Sequence, residues 1–165
     1  MKINHFILIL LLSFLLHSCA KQPSPKYTVH PQFETIEWLF NRDSDSTYLV
    51  NFWATTCPPC IKEMKWFGRL ADELKGEKFQ IDLINIDGAK RVQNHVFPFL
   101  HKKKIPFDVY ILTDDNYTKW TDKVNPKWYG ALPYTVIYRG KRRAYFFGAF
   151  DSYQILESNV KDFLD

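Results

Sequence analysis

Apolar residues run from Phe6 to Leu16 with Ser13 as the one polar break, eleven residues or roughly 16 Å of helix. That is too short for a hydrocarbon core of about 30 Å, so with Lys2 ahead of it the run reads as the h-region of a signal peptide. From 19 to 30 periodicity is lost in a Pro- and Lys-containing stretch that reads as a tether. A folded domain is expected over 31–165. Phe33, Ile36, Leu39 and Phe40 recur at helical spacing, and the polar run from Asn41 to Ser46 should stop that helix. Thr47 to Trp53 is a nearly continuous apolar run, the pattern of a central parallel strand buried on both faces. From Pro58 to Lys75 the residues Ile61, Met64, Phe67, Leu70, Ala71 and Leu74 share one helical face opposite Lys62, Lys65, Arg69, Asp72 and Glu73, with Gly76 as the stop. Phe79 to Ile86 completes a strand, helix, strand crossover. Pro98 is expected to open a short helix to about Lys104, followed by a strand over Phe107 to Leu112. Tyr134–Arg139 and Arg143–Phe150 should pair as a hairpin around Gly140, and Asp151 with Gln154 resembles a capping box for a last helix through Leu156, Val160 and Phe163.

Removal of residues 1–18 leaves about 147 residues, enough for one aromatic-rich domain. The formal charge of +4 is carried partly by Lys102-Lys103-Lys104 and Lys141-Arg142-Arg143, runs without aromatic interleaving. They read as solvated loop or helix ends, and nucleic acid is not expected as a partner.

Cys57-Pro58-Pro59-Cys60 sits at the turn between the first core strand and its helix. A zinc centre needs four ligands, and His95 and His101 have neither the spacing nor the company for one. Copper(I) would accept two thiolates, but no methionine-rich run accompanies them. A disulfide across two intervening residues closes so short a loop that it stabilises little. Redox use accounts for the placement best. With Cys57 as N-cap its sulfur faces the positive end of the helix dipole, favouring thiolate, while Cys60 one turn on is placed to resolve a mixed disulfide. Pro58 and Pro59 fill the first helical positions, where a missing N–H is tolerated.

Phe52-Trp53-Ala54 followed by Cys57-Pro-Pro-Cys60 and Glu63 resembles the active-site turn of thioredoxin-fold proteins of the TlpA/ResA-like group of envelope oxidoreductases. Gly130-Ala131-Leu132-Pro133 is similar to that group's cis-proline loop, and Leu16-His17-Ser18-Cys19 resembles a bacterial lipobox. The resemblance implies an α/β thioredoxin-like fold: a central mixed β-sheet flanked by helices, with a helix-strand insertion between Asp87 and Leu112. It also implies a thiol-disulfide oxidoreductase that needs no cofactor or metal, with Cys57 as nucleophile, Cys60 resolving and Pro133 shaping the substrate groove. Leu132, Pro58, Pro59 and Trp53 are expected to border that groove, Trp53 chiefly by packing beside the site. The implied partners are disulfides of envelope proteins, a membrane electron donor, and the membrane itself through lipid on Cys19, with the domain facing the periplasm.

The chain departs from the wider pattern at three places. Asn51 stands where thioredoxins proper carry a buried Asp, so the acid that serves Cys60 must come from elsewhere; the group points to Asp87, whose other reading is a strand-end turn residue. Glu63, one turn below Cys60, reads equally as a solvated helix residue or a proton relay. Thr56 replaces a Trp common before the first cysteine, and Lys65 replaces a helix-kinking Pro. A disulfide-forming oxidant, a copper chaperone and an inert interaction module remain as alternatives.

Overall fold

The computed structural model describes residues 25–164. The expected signal segment and the first half of the expected tether, Cys19 included, lie outside them. Six strands form one mixed sheet in the order β1-β4-β3-β2-β5-β6: β1 Tyr27–His30, β2 Thr47–Trp53, β3 Phe79–Asn85, β4 Asp108–Leu112, β5 Tyr134–Arg139 and β6 Arg142–Phe147. The first four are mutually parallel, while β5 and β6 run antiparallel to their neighbours. Among the described residues four α-helices flank the sheet: α1 Pro58–Glu73, α2 Phe97–Lys103, α3 Tyr117–Val124 and α4 Tyr153–Lys161. This is the α/β thioredoxin-like arrangement expected from the sequence, insertion included.

Every residue of β2 is buried, as an apolar strand at the centre of a two-faced sheet requires. On one face Leu49 and Trp53 pack with the α1 residues Met64, Phe67 and Leu70 and the α4 residues Leu156 and Val160. On the other, Val50 and Phe52 meet Phe33, Ile36, Leu39, Trp120 and Trp128. The rings of Phe52 and Trp128 lie 4.5 Å apart, and Trp128 stacks on Tyr134 at 4.2 Å. Tryptophans to which the sequence assigned no role therefore fill the core behind the sheet. Gly76, at φ +99°, takes the left-handed backbone that follows α1.

Several expected boundaries move. Tyr27–His30, read as the end of the tether, is an edge strand paired in parallel with Val109–Leu112. Four residues with only their ends half-buried carry too little pattern to be recognised. The helix expected around Phe33–Phe40 is two short 3-10 turns, Phe33–Thr35 and Glu37–Phe40, because an i, i+3 apolar spacing suits either geometry. Before α2 the insertion makes a 3-10 turn at Ala89–Arg91 and a π-turn at Val92–Val96. The cap of α4 is Ser152, whose hydroxyl accepts from the Ile155 amide at 3.3 Å, one residue after the expected Asp151.

Candidate active site

The loop from β2 into α1 begins at Ala54, whose carbonyl accepts from the Cys57 amide at 3.1 Å. Cys57 is extended (φ −103°, ψ 94°), and its carbonyl takes the first helical hydrogen bond, from the Ile61 amide at 3.2 Å. It is therefore the N-cap of α1, with Pro58 and Pro59 exposed in the first turn. Cys57 and Cys60 are joined in a disulfide, with Cα atoms 5.4 Å apart. Cys57 retains 9% exposure and Cys60 none, so only the Cys57 sulfur is open to attack from outside. Its one hydrogen bond among the described residues comes from the Cys60 amide at 3.3 Å.

The Leu132-Pro133 bond is cis. Pairing of Phe52 with Tyr134 sets Pro133 at the same end of the sheet as Cys57, and the Pro133 carbonyl accepts from the Gly148 amide at 2.9 Å. Leu132 is half-buried against both cores, including the cluster that holds Cys57 and Cys60. Trp53 departs from the expectation of a groove-bordering residue: it is wholly buried, its ring 5.4 Å from that of Phe99. It supports the loop from beneath and offers no surface to a substrate.

Glu63 is the residue that sequence reasoning underrated. It is fully buried, one helical turn below Cys60 on the inward stripe of α1. Its carboxylate accepts from the Asn51 amide at 3.1 Å and from the Phe150 backbone amide at 3.4 Å. Burial raises its pKa to about 7, against the smaller opposing effect of those two donors. The Asn51 amide also donates to the Thr135 hydroxyl at 2.9 Å, while its oxygen is buried with no donor among the described residues. Turned end for end, the amide oxygen would accept a hydrogen bond from the carboxyl of a neutral Glu63, so Asn51 orientation and Glu63 protonation are linked. A signal for Glu63 was present, since positions 60, 63, 64, 67 and 70 form one stripe and Glu63 falls inside it.

Asp87 is held differently. It accepts from the Thr55 amide and hydroxyl, each at 2.6 Å, from the Asn85 amide at 2.7 Å, and from the Arg91 guanidinium at 2.9 Å. Burial alone would raise its pKa, but these donors outweigh it and hold the carboxyl below its usual value. It stays ionised and ties the loop after β3 to the loop before Cys57, an arrangement unsuited to giving or taking the Cys60 proton. Beside it a cleft of about 400 Å³ is lined by Asp87, Arg91, Thr113, Asp114 and Tyr117. No group of three or more His, Cys, Asp or Glu among the described residues is placed to hold a metal ion.

A dithiol-disulfide centre at the first strand-to-helix turn of a thioredoxin fold makes the chain a thioredoxin-like thiol-disulfide oxidoreductase. The AhpC/TSA family model matches residues 23–143, and the chain belongs to that family. Three solved structures illustrate the shared fold. A thioredoxin-related protein from Neisseria meningitidis serogroup B is 24% identical, with 73% of this chain and 86% of that one aligned at a TM-score of 0.59. A thiol:disulfide interchange protein of the thioredoxin family from Chlorobium tepidum aligns at 20% identity over 73% and 81%, TM-score 0.60. StoA from Bacillus subtilis aligns at 18% over 70% and 83%, TM-score 0.54.

Proposed function

We propose that this protein is a lipid-tethered reductase of the cell envelope, which passes two electrons from the Cys57-Cys60 dithiol to disulfides of exported proteins. In the reduced protein the Cys57 thiolate attacks one sulfur of the substrate disulfide. That bond breaks, a mixed disulfide to Cys57 forms, and the other substrate sulfur leaves as a thiolate that takes up a proton. Cys60 then gives its proton to Glu63 and attacks the Cys57 sulfur. The Cys57-Cys60 disulfide forms, and the second substrate sulfur leaves and is protonated in turn. A carboxyl near pH 7 suits this transfer, being neither permanently ionised nor locked as an acid. A membrane dithiol donor restores the reduced state. Apocytochromes awaiting haem are the substrate class to which the TlpA/ResA-like resemblance points.

The direction of electron flow rests on one observation. Among the described residues the Cys57 sulfur has a single hydrogen-bond donor, the Cys60 amide, because Pro58 and Pro59 bring none. Stabilising the thiolate makes a CxxC centre oxidising, so one donor and the helix dipole leave it moderately reducing. The expected potential lies below roughly −200 mV. Equilibration of the purified protein against glutathione and dithiothreitol buffers measures it. A midpoint near roughly −120 mV would reverse the assignment and make the protein a disulfide-forming oxidant.

A further inference from the structure

The sheet has a redox end and an opposite end, and charge divides between them. Parallel register sets the starts of β1 to β4 together, and pairing of Tyr48 with Tyr138 brings the β5–β6 turn to the same side. Cys57 and Pro133 lie at the other side, about 20 Å away along β2. Both basic runs seen in the sequence fall at the end remote from Cys57. Lys102–Lys104 close α2 just ahead of β4, and Lys141–Arg143 form the β5–β6 turn and the start of β6. All six side chains are exposed, and none makes an ion pair with a carboxylate among the described residues.

Acidic groups at this end are already engaged or balanced. Asp45 pairs with Lys78, Asp82 is buried against Arg42, and Asp108 accepts from the Lys26 backbone amide. The exposed Asp43, Glu77 and Asp162 are matched in number by Lys26, Lys75 and Arg139. Against the six basic side chains stands the charge of Asp108, whose partner is an uncharged amide, so the end keeps a net positive charge. The chain also enters the fold here, because Lys26 directly precedes β1 and 24 residues come before the first described one.

We propose that this basic end is a docking face for an anionic lipid surface, which seats the domain with Cys57 pointing away from the bilayer. The inference rests on the tethering proposed above and adds an orientation to it. A lipid on Cys19 would bring this end nearest the membrane, and Lys and Arg within a Debye length of anionic headgroups, about 10 Å at 0.1 M salt, are drawn to them. Tethering by itself does not choose which end of the domain meets lipid, whereas the basic face fixes that end and leaves the open sulfur accessible to soluble substrates.

Full-length protein reconstituted on vesicles of phosphatidylcholine, alone or with roughly 30 mol % phosphatidylglycerol, provides the test. A brief pulse of a lysine-acetylating reagent followed by peptide mass spectrometry reads the exposure of each lysine. On the anionic vesicles acetylation of Lys102, Lys103, Lys104 and Lys141 is expected to fall at least threefold, and to recover at high salt. Lys62 and Lys65, on the half of α1 nearer Cys57, should be unchanged. Replacing the six residues by Gln should abolish the difference at Lys26. Equal labelling on the two vesicles, or protection centred on Lys62 and Lys65, overturns the proposal, and the salt reversal in the unaltered protein decides it even where the sixfold variant is unstable. Co-flotation reports the tether separately. Protein that floats without protection overturns the orientation alone, and protein that floats with neither vesicle overturns tethering and orientation together.

Discussion

Replacing Glu63 by Gln removes a carboxyl from the core and tests whether its ionisation is as unfavourable as its surroundings imply. An unfolded glutamate titrates at 4.5, whereas burial moves the folded group to about 7. Between those values the folded chain holds a proton that the unfolded chain has released, so stability falls as pH rises through that window. At about 1.4 kcal/mol per pH unit, the full shift amounts to about 3 kcal/mol, of which about 2 to 3 is lost between pH 5 and 8. Gln keeps an acceptor for the Asn51 amide but turns a donor toward the Phe150 amide, a pH-independent cost of about 1 kcal/mol. The slope against pH is therefore the diagnostic quantity. Urea unfolding of the disulfide form, in which neither cysteine of the pair titrates, should show the unaltered protein losing those 2 to 3 kcal/mol relative to Glu63→Gln from pH 5 to 8. Parallel stability curves would refute the placement of Glu63 as a buried acid near neutrality.

Cys60→Ala should arrest the cycle at the first exchange, so that incubation with a disulfide peptide leaves the peptide attached to Cys57 by mass spectrometry; free turnover by this variant would remove Cys60 from its resolving role. Asp87→Asn should cost about 2 kcal/mol at neutral pH by urea unfolding, because donors from Thr55 and Arg91 lose a charged acceptor. Its folded pKa lies below the ordinary 3.8, so this difference should close as pH falls into the acid range, and a difference that persists there would contradict the ionised assignment. Cys19→Ser should abolish palmitate labelling and release the protein from membranes, and labelling that survives the substitution would reject lipidation at that position.

The parts of the fold read correctly from sequence are those whose signal is local and strong. Thr47–Trp53 is apolar throughout, α1 has a long stripe with a terminating glycine, and the CPPC turn joins them. The parts misread or left unassigned depend on partners far along the chain. Tyr27–His30, read as tether, is a strand only because β4 lies beside it, and α3, left unassigned, is eight residues whose mostly polar sequence hides the inward Trp120 and Val124. The same holds at the site. Cys57, Cys60 and Pro133 carry their pattern in adjacent residues. The difference between Asp87, ionised by four donors, and Glu63, kept close to neutral by burial, is set by Thr55, Arg91, Asn51 and Phe150, which no spacing rule gathers.

β1 also imposes an order of events in time. The Lys26 amide bonds Asp108, 82 residues later in the chain, and the four residues that follow can pair only with β4. At synthesis rates of about 5 to 20 residues per second, the leading strand waits roughly 4 to 16 s before its partner exists. A chain made from its N-terminus thus delivers β1 unpaired. That strand is short, and its two middle residues, Thr28 and Val29, remain exposed even in the finished fold, so it offers little for a stray chain to grip during the interval. The strand that leads the described chain is among the last to be fixed, and the sheet closes on it from the far side.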